Sequence, residues 1–456
     1  MGRWRLPLVV FLLVAAAGQA AVGMRASRTA TVTGDEPFYL LTAQSLTSDG
    51  DLDLRDEYAG HEEGEFWDGT IPLWKQMTPA PDGRLLSPHD PGLPLLIVPA
   101  YAVGGLTGVQ RFLVLLWALA MALAAVAAVR LGVPTGAAGL AAVALGAGAP
   151  GVVYASQVYP EGPAALLVAI GLLLAIATRP RPVALAAAMT ALMWLGVKYA
   201  PFAAVLGGVW VWRFRADRRA VAALAGLAVV AAAHLVWWHL HTFGDLTPYG
   251  TNVVWSGEGT ASIVADHVHV GERLHRLYGV LVDQRFGLLR WSPVAALVFA
   301  GLARRRGLAL ALVLAAVALA TFASITMMGW WFPGRMLVAA FPAVVVLTGA
   351  GIARFPRVGA LLAGWSLAIG AAVAVGAHTG AIRLAVDPWR VGFPLPPAIL
   401  FPDLRTDGTA RIAASAAWVV GLTMLGWRSS WSSTATPSST APSSPSPPTW
   451  PPPPGR

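Results

Sequence analysis

The chain has 456 residues, 56% of them hydrophobic and only 12% charged, with a mean hydropathy of +0.62, which leaves too little charge to cover a water-soluble protein of this length. It has no cysteine, which excludes disulfides, thiolate catalysis and cysteine-bound metal. The net charge of +9 does not signal nucleic acid, because the arginines are scattered between apolar runs and build no basic domain.

Arg3 and Arg5 precede a first apolar run, Leu6 to Val22. Its end, "AGQAA", has the small residues of a cleavage site, but the run is long for a signal segment and is read as a retained first helix. Further apolar runs at 110–130, 135–155, 162–178, 183–197, 200–214, 220–238, 287–303, 307–327, 336–353, 358–377 and 410–427 complete about twelve spans. With the N-terminus inside, the short inner loops hold Arg130, Arg179, Arg181, Arg213, Arg215, Arg218, Arg219, Arg304, Arg305, Arg306, Arg354, Arg357 and Arg428. That is the asymmetry the positive-inside rule requires. Both termini are then cytosolic, in a multi-pass protein of the plasma membrane. Three longer segments, 23–108, 239–286 and 378–409, face the extracytoplasmic side. Residues 1–428 form the membrane domain, and the Ser/Thr/Pro-rich tail 429–456 is expected to be disordered and cytosolic.

The outer segments carry the chemistry. "TGDEPFYLLTAQSL" places Asp35 and Glu36 ahead of Pro37, Phe38 and Tyr39, as acids at the N-terminus of a short helix lying along the membrane. A helix N-terminus favours negative charge, and an ionised carboxylate at a lipid-side cavity accepts a proton from a hydroxyl nucleophile. The bland alternative is two loop acids that cap a helix. "SPHDPGLPLLIVPAYAVGG", with His89 and Asp90, is too broken by proline to span, and reads as an interfacial or re-entrant piece. "QVYPEGPAALL" puts Tyr159 and Glu161 at an outer span end, and "GVKYAPF" puts Lys198 and Tyr199 at an outer turn. "DQRFGLLRWSP" adds Asp283 and Arg285, and "TMMGWWFPGRMLVAAFP" adds Trp330, Trp331 and Arg335. Singly, each is an ordinary interface residue. Together, carboxylates and fixed cations at one level beside apolar walls suit a lipid-linked anionic substrate.

These motifs carry a family resemblance. "GDEPFYLLTAQSLTSDGDLDL" resembles the start of the first external loop in GT-C-fold membrane glycosyltransferases, which use dolichyl- or polyprenyl-phosphate sugars. The class includes protein O-mannosyltransferases, aminoarabinose transferases and RgtA-like groups. "SPHDPGLPLLIVPAYAVGG" is similar to the segment before their second span, and "VYPEGPAALL", "DQRFGLL" and "WWFPGRMLVAAFP" resemble later outer motifs of RgtA-like members. The resemblance implies an all-α, polytopic, GT-C-like bundle with extracytoplasmic juxtamembrane helices in its first loop. It implies inverting transfer of a sugar from a polyprenyl-phosphate donor to an acceptor hydroxyl on an envelope glycan, lipid or protein. Asp35 matches the base, with Glu36 the second acid; Arg335, Lys198 and Arg285 would hold the donor phosphate. Tyr39, His89, Asp90, Tyr159, Glu161, Tyr199, Asp283, Trp330 and Trp331 would line the cavity.

Asp35 and Glu36 also offer oxygen ligands to Mg²⁺ or Mn²⁺, with His61 and His89 in the same loop. "HVHVGERLH" (His267, His269, His275) lacks the spacing of a zinc motif. The competing function is a transporter or flippase of a lipid-linked or small anionic substrate. It predicts ionisable groups at mid-membrane, and the spans hold few beyond His234 and His239.

Overall fold

The computed structural model describes residues 4–27, 30–67, 72–80, 82–255, 259–267, 270–303, 306–324, 327, 329–405 and 409–431. Helix α1 (Arg5–Ala20) leads to α2 (Glu36–Ser48), α3 (Arg55–Gly60) and the long α4 (Gly92–Arg130). Then come α5 (Thr135–Ala147), α6 (Gly151–Ser156), α7 (Glu161–Ala175), α8 (Pro182–Leu195), α9 (Ala200–Phe214) and α10 (Arg218–Phe243). Short helices α11 (Thr260–His267), α12 (Val270–Arg273), α13 (Arg276–Val282) and α14 (Leu288–Trp291) fill the next stretch. The chain closes with α15 (Gly307–Ala318), α16 (Phe341–Arg354), α17 (Pro356–His378) and α18 (Thr409–Trp431). Among the described residues there is no β-strand, only the isolated bridges Asp53–Leu86 and Met77–Asn252.

Four described stretches are long and apolar enough to cross a membrane: Gly92–Arg130, Arg218–Thr251, Arg335–Arg354 and Pro356–His378. Six more helical stretches are apolar but shorter, Arg5–Ala20, Thr135–Ala147, Glu161–Ala175, Pro182–Leu195, Gly307–Phe322 and Arg411–Gly426. Helix α4 is the hub, packing on α1, α2, α5, α7 and α16. Burial separates inner from outer helices: 89% of the most apolar window of Arg335–Arg354 is covered, against 17% for Arg218–Thr251. Val229, Val230 and Trp237 of α10 point away from the protein, as side chains bathed in lipid would. The chain is thus an all-α membrane protein.

Several expected spans are shaped by proline and glycine. The 135–155 run is not one helix. It stops at Ala147, turns through Gly148, Ala149 and Pro150, and resumes as α6, because proline has no amide to continue the ladder and its ring clashes with the preceding turn. The 287–303 run becomes α14 followed by a 3-10 stretch, Pro293–Gly301, for the same reason at Pro293. The proline-broken 87–105 segment is largely helical. Residues 92–103 are the first arm of α4, joined to its spanning arm across a kink at Gly104 and Gly105, where Gly105 has φ +52 and ψ −146. That region of backbone space is almost closed to residues with a Cβ. At the other end α18 continues to Trp431; the tail expected to be disordered lies, from residue 432, outside the described residues.

Helix α2 is more deeply covered than a surface helix would be. Phe38, Leu40, Leu41 and Ala43 are fully buried, and α2 packs on α4. Each large apolar side chain contributes roughly 1.5–3 kcal/mol by leaving water, so the helix that begins at the paired acids is firmly seated.

Candidate active site

Asp35 is the N-cap residue of α2, yet its side chain makes no capping hydrogen bond. It turns instead to Arg335, whose Nη2 donates to Asp35 Oδ2 at 2.9 Å across 300 residues of sequence. The same guanidinium donates from Nε to Glu161 Oε1 at 2.9 Å. Lys198 Nζ donates to that oxygen as well, also at 2.9 Å. Four charged groups from four parts of the chain therefore form one line: Asp35, Arg335, Glu161, Lys198. Arg335 and Glu161 side chains are only 5% and 4% exposed, whereas Asp35 and Lys198 keep 23% and 34%. The two ends of the line are the accessible ones.

Left-handed glycines set both central turns. Gly34, with φ +61, precedes Asp35, and Gly334, with φ +83, precedes Arg335. Both dihedrals favour glycine. A Cβ on Gly34 would also lie 2.7 Å from the Tyr159 hydroxyl and 3.0 Å from the Trp330 carbonyl oxygen. The aromatic walls are close. The Arg335 guanidinium lies 4.0 Å from the Tyr159 ring centre and 5.1 Å from that of Trp331. The Tyr159 hydroxyl donates to the Thr33 carbonyl at 3.1 Å, and the Tyr154 hydroxyl donates to the Phe332 carbonyl.

Glu36 faces the other way. Its Oε1 accepts from the Val158 amide at 2.8 Å and its Oε2 from the Thr33 amide at 3.0 Å, with 1% of the residue exposed. Glu36 thus stitches the start of α2 to the chain entering α7. Burial pushes its carboxyl up to about 7 against the pull of those amides. Burial pushes Asp35 up too, but Arg335 and His89 more than offset it and bring the carboxyl down to about 2. Asp35 and Glu36 do not fit a shared Mg²⁺ or Mn²⁺: both Glu36 oxygens are committed to amides, and one Asp35 oxygen is committed to a cation.

His89 Nε2 lies 3.9 Å from Asp35 Oδ1 and 2.9 Å from Gln76 Oε1, and its ring meets Tyr39 at 4.9 Å between centres. Burial holds His89 below its usual range, opposed by Asp35. Asp90 pairs with His239 at 3.1 Å, which ties the start of α4 to the end of α10. Tyr199 is buried beside Lys198, whose Nζ lies 5.2 Å from its ring centre.

Other expected site residues go elsewhere. Asp283 accepts at Oδ1 from the amides of Arg285 and Phe286 and at Oδ2 from the amide of Leu404, so it braces the chain at Leu404. The Arg285 guanidinium sits 4.6 Å from the Trp389 ring centre rather than on the Asp35–Lys198 line. Trp330 is 66% exposed. His61 is a left-handed C-cap of α3 beside Glu63; His269 and the His267 side chain lie outside the described residues. Gly34, Gly334, Gln76 and Tyr154 were not among the expected residues. The glycine directly before each charge, in "TGDE" and "PGR", was the available signal for two of them.

An apolar groove of about 400 Å³ lies between Gly92, Leu95 and Leu116 of α4, Pro163 and Leu167 of α7, and Trp194 of α8. Pro163 is two residues beyond Glu161.

No protein-family model and no curated protein matches the chain. Among solved structures, the crystal structure of ArnT from Cupriavidus metallidurans in the apo state aligns with it at 14% sequence identity and a TM-score of 0.46, over 92% of this chain and 76% of that one.

Proposed function

We propose that the chain is a GT-C-type membrane glycosyltransferase that moves a sugar from a polyprenyl-phosphate donor to an acceptor hydroxyl on the extracytoplasmic face, with inversion. The observation that carries this reading is the Asp35–Arg335–Glu161–Lys198 line, which sets a partly exposed carboxylate beside paired cations. The apolar groove between α4, α7 and α8 is the right character for an isoprenoid tail, and the outer motifs resemble that family.

Asp35 takes the proton of the acceptor hydroxyl. The hydroxyl oxygen attacks the anomeric carbon opposite the phosphate, the bond from that carbon to the phosphate oxygen breaks, and polyprenyl phosphate leaves. Charge grows on the leaving phosphate, and Lys198 and Arg335 stabilise it, where fixed cations in a dry site act most strongly. Glu161 holds both cations in place until an anion arrives. Glu36 is a strut rather than a second base.

The test is incubation of membranes holding the protein with a radiolabelled polyprenyl-phosphate sugar. Label should move to an acceptor, and Asp35→Asn should lower the rate about 10²-fold or more while membrane insertion is unchanged. Lys198→Met should lower kcat/KM for the donor about tenfold or more. Label that merely changes sides of the bilayer would favour a flippase and overturn the reading, as would full activity of Asp35→Asn.

A further inference from the structure

A second cluster of acids lies at the opposite end of α2. Asp49 is the C-cap of that helix, and Asp56 and Glu57 stand in the first turn of α3. One oxygen from each of the three lies within 4.8 Å of the others. Two oxygens on opposite sides of a Ca²⁺ ion, each about 2.4 Å from it, are about that far apart. Asp49 and Asp56 are exposed, so they could simply be solvated acids. Glu57 cannot: it is 1% exposed, and both of its carboxylate oxygens are buried without a hydrogen-bond partner. A buried carboxylate with no counter-charge is costly, and one oxygen of this one lies within 4.8 Å of an oxygen on each of two other acids.

We propose that Asp49, Asp56 and Glu57 bind a hard divalent cation of the Ca²⁺ class, which clamps the C-terminal end of α2 to α3. The donor set is all oxygen, which suits Ca²⁺ and not a nitrogen- or sulfur-seeking metal. Two exposed ligands leave room for water to complete a coordination of six to eight. Helix α2 has 13 residues, so the clamp stands about 20 Å from the Asp35 end and holds the far end of the same rigid element. The site does not depend on the catalytic reading.

The experiment uses the full chain in nanodiscs, stripped with a chelator and titrated with CaCl₂ by calorimetry and thermal unfolding. Wild type should bind one equivalent with a Kd of about 10⁻⁴–10⁻³ M, and its Tm should rise once Ca²⁺ exceeds that range. Asp49→Asn and Glu57→Gln should each weaken binding at least about tenfold, whereas Asp35→Asn should leave it unchanged. Should Glu57→Gln fail to fold, the exposed Asp49→Asn decides. No heat and no Tm shift in wild type up to about ten times that concentration would overturn the site. So would binding that survives Asp49→Asn, or binding lost in Asp35→Asn, which would move the cation to the other end of the helix.

Discussion

Asp35 is an acid kept ionised at the cost of its basicity. Burial raises its carboxyl, but Arg335, His89 and Lys198 face it and bring it to about 2. A base acts only when deprotonated, so activity is present above its pKa and lost as pH falls through it. At about 2 the group is ionised throughout the working range but draws a proton weakly. Under the proposed reaction, a donor phosphate takes part of Arg335 for itself and adds a negative charge, and both effects raise the Asp35 pKa. The acid limb of kcat, which reports the loaded enzyme, should therefore lie at higher pH than that of kcat/KM for the donor, which reports the free enzyme. Parallel pH–rate profiles check this; coincident limbs would mean that the donor leaves the Asp35–Arg335 pair intact.

Short turns, more than long helices, place the charges. Gly34→Ala puts a Cβ into a left-handed turn at a cost of about 1–2 kcal/mol and against the Tyr159 hydroxyl and Trp330 carbonyl. It should lower both thermal stability and transfer rate, because the turn it strains aims Asp35. Gly105→Ala in the α4 kink meets no atom within 4 Å; it should lose at least as much stability, to backbone strain alone, and keep its transfer rate per folded molecule. Thermal unfolding alongside transfer assays separates the two. These elements also mark the limits of reading from sequence. The acids at the start of α2 were legible from Pro37 and the apolar residues that follow. The depth of α2 was not, since the helix that covers it, α4, lies some fifty residues away. The breaks at Pro150 and Pro293 were written in the chain, but runs of apolar residues pass over a single proline. Asp35, Glu161, Lys198 and Arg335 could be expected at one level from span ends. That Glu161 would bridge both cations, while Asp283 braced a backbone turn and Arg285 stacked on Trp389, depends on packing between distant segments.

On the scale of the whole molecule, the absence of cysteine gives a clean background for mapping sides. Trp330→Cys and Arg215→Cys, both at exposed positions, should part under a membrane-impermeant maleimide. The first should label in intact cells, and the second only after permeabilisation. The reverse result would put the Asp35–Arg335 line on the cytosolic side. The charge line itself, two carboxylates against two cations, sums to zero before any donor arrives. A site with no net charge casts no long-range field to attract an anion, so a phosphate must trade places with Glu161 rather than fall into a positive well. Raising the ionic strength of the assay should therefore barely change how tightly the donor is held, and trimming isoprene units from its tail should weaken it steadily.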